Sequence, residues 1–145
     1  MADEKARVLV VANRTAGSEV LLDALRERAA RGPAHFHLVV PSTPHGVSWA
    51  ADMHSGGDAA EHDLDGALER LHSAGLEADG EVGDPDPVAA VQDAANAANY
   101  DEVIVSTLPK HISKWLKVDL PRKAAHATGL PVTHVEARAR ATASA

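Results

Sequence analysis

Apolar and polar positions along the chain switch repeatedly between two periods. Residues 8–12, VLVVA, form an unbroken apolar run rich in β-branched side chains, the mark of a strand buried on both faces. Residues 13–17 carry turn chemistry, and Ser18 is a predicted N-cap. Leu21, Leu22, Leu25 and Ala29 then recur at helical spacing, and Gly32-Pro33 predicts the stop, a C′ glycine followed by a helix breaker. Residues 36–40, FHLVV, predict a second buried strand ended by Pro41. Residues 41–57 have no period and predict a long loop. Asp58 with Glu61 reads as a capping box, and Leu64, Leu68 and Leu71 form a helical stripe that Gly75 closes.

Residues 77–82 alternate weakly and are polar, which predicts an edge strand. Asp86-Pro87 pairs an N-cap with a proline at the first helical position, and Val88, Val91 and Ala95 are the expected buried face of that helix. Residues 102–106, EVIVS, predict another central strand. Asp119-Leu120-Pro121 opens a final helix, Gly129 ends it, and residues 131–135, PVTHV, predict the last strand. Residues 137–145, ARARATASA, are expected to be a flexible tail.

Strict alternation of strand and helix implies an α/β fold, a five-stranded parallel, doubly wound, Rossmann-like sheet with helices on both faces. Right-handed crossovers that start in the middle and double back give strand order 3-2-1-4-5. The winding then reverses between strands 1 and 4, and ligands of such sheets bind in that crevice, beyond the carboxyl ends of the strands. Topology alone therefore singles out residues 13–18 and 106–117.

Composition narrows the classes. At 145 residues the chain predicts one domain, over residues 1–136. It has no cysteine, which excludes a disulfide scaffold, a thiolate metal site and a cysteine nucleophile. Aromatic residues are only 3%, so the core must rest on Val, Leu, Ile and Ala. A net charge of −7 argues against nucleic acid and anionic lipid as partners. The residues before Val8 are charged, and the apolar run that follows spans five residues, where a signal segment needs roughly 7–15 and a membrane span about 20. The expectation is a cytoplasmic protein with no membrane partner.

Residues 110–123 run against the overall charge. They hold five cations (Lys110, Lys114, Lys117, Arg122 and Lys123) against one anion, Asp119. Hydroxyls at Ser106, Thr107 and Ser113 add donors, and a helix start follows. These are the ingredients of a phosphate site; the bland alternative is a solvated basic helix start. The candidate binding residues are Ala12, Asn13, Arg14 and Thr15 after the first strand, and Val40, Gly83 and Asp84 at the ends of the second and third. Ser106, Thr107, Lys110, Ser113 and Lys114 follow the fourth.

No catalytic residue and no metal ligand is predicted. Nine histidines match no metal-binding spacing, although His35 and His37 fall on one side of a strand, and His45 and His54 share the long loop with Asp52. G-x-x-x-x-G-K-(S/T), G-x-G-x-x-G and G-x-S-x-G are all absent. Trp115 beside Lys114 reads as an anchor onto the sheet rather than a base-stacking platform. Trp49 in the long loop is open among lid, dimer contact and simple cover.

Gly83-Asp84-Pro85, a small-residue helix, and then residues 100–106, YDEVIVS, resemble the universal stress protein family, which shows a G-D-P before its third helix and a D-(L/E)-(I/V)-(I/V) strand after it. Residues 129–135, GLPVTHV, resemble that family's P-V-L-V-V closing strand. The similarity covers residues 7–136. The resemblance implies an adenine-nucleotide-binding fold, ATP among its ligands, and a homodimer paired through residues 132–135. It also implies no established chemistry of its own. The family's G-x2-G-x9-G-(S/T) motif is not kept: Ser106 and Pro109 stand at its first two glycines, and Val118-Asp119 or Asp119-Leu120 at its Gly-Ser. Asn13 replaces the aspartate usual after the first strand. The leading reading is a non-enzymatic, dimeric module for a nucleotide or small anion. The alternatives are a phosphate-handling enzyme using the Lys110–Lys114 cluster, with Asp84 and Asp119 as candidate magnesium carboxylates, and a structural dimer with no ligand.

Overall fold

The computed structural model describes residues 5–12, 14–42, 55–107, 115 and 119–136, with backbone alone at 14, 15 and 55–59. The elements are β1 (Ala6–Val11), a 3-10 turn (Arg14–Gly17), α1 (Glu19–Ala30), β2 (Ala34–Pro41), α2 (Ser55–Ser73) and β3 (Glu77–Gly83). They continue with α3 (Pro87–Ala97), β4 (Glu102–Thr107), α4 (Leu120–Thr128) and β5 (Val132–Glu136). The sheet has the order β3-β2-β1-β4-β5, and every pair is parallel. The doubly wound fold expected from the alternation is the fold observed.

Each strand separates two layers. Val8, Val10, Phe36, Leu38, Ala78 and Ile104 face α1 and α2, where they meet Leu21, Leu25, Leu64 and Leu71. Leu9, Val11, Val39, Val103 and Val105 face the other way, against Ala90, Val91 and Ala94 of α3 and Leu120 and Ala124 of α4. The central β1 is apolar on both sides because helices cover both. Trp115 packs against the α3/α4 layer, as an anchor would. A partly buried ion pair, Arg28 Nε to Glu102 Oε2 at 2.8 Å, ties α1 to the start of β4.

The α3/α4 side is not covered throughout. Toward the β3 edge its positions are polar. The β2–β3 register sets His35 opposite Glu77, His37 opposite Asp79 and Val39 opposite Glu81. His37 Nδ1 lies 2.8 Å from Asp79 Oδ1, and its Nε2 lies 3.1 Å from Glu81 Oε2. His35 Nε2 lies 3.1 Å from the same Asp79 oxygen, and its Nδ1 lies 3.2 Å from Glu77 Oε2. Lys5 pairs with Glu77 at the near end. The Tyr100 ring stacks on His37 with centroids 6.1 Å apart, and the Arg7 guanidinium sits 5.4 Å above that ring.

Several boundaries differ from the sequence reading. Helix α2 starts at Ser55, upstream of the expected cap at Asp58, so Gly56 and Gly57 lie inside it. Glycine in a helix costs about 1 kcal/mol, and the Leu64/Leu68/Leu71 stripe packed on the sheet outweighs it. Helix α1 ends without a left-handed glycine; Arg31 closes it in the right-handed region, donating to Ala29 O and Arg28 O. The fully buried face of α3 is Ala90, Val91 and Ala94, with Val88 partly buried against the same cluster; of the expected Val88, Val91 and Ala95, only Ala95 is not part of it. Small side chains occupy it because α3 crosses close to the sheet at Gly83. A Cβ on Gly83 would stand 2.9 Å from Val39 Cγ1 and 3.1 Å from Ala90 Cβ. The predicted caps hold at Ser18, whose Oγ accepts from Leu21 N, and at Asp86, which accepts from Val88 N.

Candidate functional site

The winding reverses between β1 and β4, which pair directly with Val11 opposite Val105. Their carboxyl ends share one rim. The chain leaves β1 at buried Ala12, whose N–H donates to Val39 O at 3.2 Å. It turns through the 3-10 segment, where buried Ala16 plugs the core, and enters α1 at the Ser18 cap. On the other side of the crevice, β4 ends in Ser106 and Thr107, both buried, the only buried polar residues among those described. Thr107 Oγ1 and His134 Nε2 of β5 are hydrogen-bonded at 2.8 Å. The ends of β2 and β3 complete the rim, joined by a bond from Ser42 N to Gly83 O at 3.0 Å.

The topology thus brings together five of the residues singled out from sequence, Ala12, Gly83, Asp84, Ser106 and Thr107, with the backbone of Arg14 and Thr15 in the turn beside them. Val40 reaches the same end of the sheet, but its side chain is buried in the α1/α2 layer and leaves only its backbone for any ligand. Asn13, Lys110, Ser113 and Lys114 lie outside the described residues, as do Lys117, Trp49, His45, His54 and the tail from 137. Of the five cations, Arg122 and Lys123 are described; both are exposed on the first turn of α4. Arg122 Nε stands 3.7 Å from Asp119 Oδ2.

Local packing explains part of what the sequence presents as site chemistry. Gly83 is required where α3 crosses β2. Asp84 Oδ1 accepts from Asp86 N at 2.9 Å, and Asp86 in turn caps α3. The Gly83-Asp84-Pro85 segment is therefore a turn built to launch a helix. Asp119 precedes α4 as expected, yet its side chain makes no cap bond, and its backbone is left-handed at φ 58. That region favours glycine. His134 was not singled out from sequence. The alternation along β5, with Val132, His134 and Glu136 on one side, is the signal that could have placed it beside Thr107. Among the described residues, no group of three or more His, Asp or Glu is arranged to hold a metal ion.

The sequence matches no family model and no curated protein. Solved structures do match. A universal stress protein family protein from Arabidopsis thaliana, solved with AMP bound, superposes with a TM-score of 0.65 at 14% identity, over 94% of this chain and 95% of that one. A universal stress protein from Archaeoglobus fulgidus in complex with dAMP gives 0.64 at 14%, over 92% and 98%. A universal stress protein in complex with cAMP gives 0.62 at 18%, over 92% and 98%.

The chain has the universal stress protein fold.

That fold accounts for the strand order, the helices on both faces and the crevice between β1 and β4. The overlap spans nearly the full length of both partners, so the universal stress protein fold describes the whole domain and not a shared fragment. Among the described residues, no helix is long and apolar enough to cross a membrane.

Proposed function

We propose that this chain binds an adenine nucleotide, or another small anion, in the crevice beyond β1 and β4, and that it does so without turning the ligand over. One observation carries the reading: the reversal of winding between β1 and β4, in a fold whose solved relatives hold AMP, dAMP and cAMP. The rim supports it. Two buried hydroxyls, Ser106 and Thr107, end β4, and the sequence beyond them is rich in lysine. Hydroxyl and ammonium donors around a crevice suit an anionic group. Lys110, Ser113 and Lys114 supply the side-chain contacts in this reading, in place of the backbone wrap that a glycine-rich motif provides.

The same reading has the domain, residues 1–136, act as a dimer through the β5 edge. β5 is the outermost strand of the described sheet on the β4 side, and pairing of residues 132–135 across a two-fold axis would join two such sheets. A cytoplasmic location belongs to this reading, since nucleotides are abundant there. A phosphate-handling enzyme using the Lys110–Lys114 cluster is the competing reading, with Asp84 and Asp119 as its candidate magnesium carboxylates; Asp84 Oδ1 already accepts from the Asp86 N–H, which favours the non-enzymatic one.

The test is retention and titration. Purified protein is assayed for co-purifying nucleotide by absorbance and mass spectrometry, then titrated calorimetrically with ATP, AMP and cAMP. Lys114→Ala is expected to weaken binding by about tenfold or more, since a charge-assisted bond contributes roughly 1.5–3 kcal/mol. Phosphate release should stay at background. Unchanged binding in both Lys110→Ala and Lys114→Ala discards the lysine site. Turnover abolished by Lys114→Ala establishes the enzyme instead.

A further inference from the structure

The alternation Glu77–His35–Asp79–His37–Glu81 places each imidazole between two carboxylates. For His37 both ring nitrogens are within hydrogen-bond distance of an acid oxygen, at 2.8 Å and 3.1 Å. A neutral imidazole has one N–H and one lone pair. In the neutral state one of these two contacts therefore sets a lone pair against a carboxylate. Only the imidazolium donates to both. The geometry around His37 is complementary to the protonated ring and to no other form.

We propose that this ladder is a proton-operated clasp, which fastens the edge strand β3 to the sheet in mildly acidic solution and loosens it as the solution turns alkaline.

Beta-3 needs such a clasp more than its neighbours do. Its sequence, EADGEVG, places only Ala78 and Val82 against the α1/α2 layer, and Gly80 between them has no side chain to bury. On its other side every position before Gly83 is acidic: Glu77, Asp79 and Glu81. Beyond backbone pairing and the small apolar contact of Ala78 and Val82, the strand is held by those three carboxylates. A permanent tie would use Lys or Arg, which stay charged across the physiological range. Histidine changes charge within it. Among the described residues no group of three or more His, Asp or Glu is arranged to hold a metal ion, and the ring nitrogens here face carboxylate oxygens at hydrogen-bond distance, which suits a proton.

The electrostatics agree with the geometry. Burial draws the His37 value down, but the hydrogen bonds and charges of Asp79 and Glu81 outweigh it and hold the ring above its ordinary 6.5. Burial likewise pushes Asp79 up, and its bonds to His37 and His35 more than reverse that, holding it below its ordinary 3.8. Glu77 is held low by its bond to Lys5, and then by His35. The other groups facing His37 are Tyr100, which stacks on it, and Arg7 above that ring. Asp101 is bonded to the Arg7 N–H beside them.

A group with a raised folded value stabilises fully below its unfolded value and stops as pH rises through the folded one. The His37 contribution is therefore complete below 6.5 and is lost above it. The Asp79 contribution is complete above 3.8 and is lost on acidification below it. The clasp is tightest between those two limits.

The experiment is amide hydrogen exchange on the full chain from pH 5.5 to 8.5, corrected for intrinsic rates, with β4 amides as the internal reference. In the wild type, protection of residues 78–82 relative to β4 should fall several-fold as pH rises. In His37→Gln the fall should be clearly shallower, since glutamine has one donor group at every pH and only the His35 contacts to Glu77 and Asp79 remain. A proton NMR titration of His37 in the wild-type protein adds a readout that needs no variant, with its midpoint expected above 6.5. A pH-independent β3, an equal slope in His37→Gln, or a His37 midpoint at or below 6.5 overturns the proposal.

Discussion

Phe36 and His37 are consecutive residues of one strand and sit in opposite chemistries. Phe36 is fully buried against α1 and α2, the largest fully buried side chain among those described. His37 points to the other side of the sheet, beyond the reach of α3 and α4, and is bonded to two acids. The difference shows what helical cover does in a parallel sheet. Where both faces are covered, as along β1, the strand is apolar at every position from Val8 to Ala12. Where cover stops, toward β3, alternate positions turn ionic and must be satisfied by neighbours in the sheet itself.

The comparison can be broken most directly at Phe36. Phe36→Ala should cost about 3–5 kcal/mol, the range for a fully buried aromatic, measured by urea denaturation. His37→Gln one position later should cost far less at pH 8.5, about 1 kcal/mol, the size of a neutral hydrogen bond, and more at pH 6, where the imidazolium ties are intact. Equal costs for the two variants at alkaline pH would show that the faces are not as unlike as their chemistry.

Gly80 sharpens it next, because it lies on the covered side of the exposed strand. A Cβ there would stand 2.5 Å from the Leu38 carbonyl oxygen and 2.7 Å from Leu64 Cδ1. Gly80→Ala should cost about 1–3 kcal/mol, as overpacking does, with loss of amide protection concentrated in β3. A neutral result would mean that α2 rides loosely over that edge.

The effect expected at Asp119 is small, and its sign is opposite. A non-glycine residue in the left-handed region costs of order 1 kcal/mol. Its ion pair with Arg122 is exposed on both sides and long at 3.7 Å, so it offsets little. Asp119→Gly should stabilise the protein by about 1 kcal/mol or less, read as a higher Tm. A lower Tm would show that the carboxylate has a structural task.

The fold was legible because its signals are local. The runs at Val8, Phe36 and Val103 are apolar and continuous, Ser18 and Asp86 cap the helices that follow, and Gly75 and Gly129 take the positive φ expected of helix-ending glycines. The start of α2 was not legible, because residues 55–57 read as the end of an aperiodic loop, with the cap expected at Asp58, when packing farther along decides. The crevice was legible only as a place. Gly83 read as a ligand contact, and its need for space against Ala90 becomes visible once α3 is seen crossing β2. The ladder was half legible. His35 and His37 share a side by simple alternation, but their partners lie more than forty positions along the chain. Only the β2–β3 register brings Glu77, Asp79 and Glu81 alongside.

That acidic row on the outermost strand also limits what the sheet can grow into. Fibrils form when strands can stack from two sticky margins, each copy extending the last. Here a copy arriving beside β3 meets carboxylates with its own, and like charge turns it away. Open-ended stacking needs both margins of the sheet, so an acidic row along one of them is enough to interrupt it.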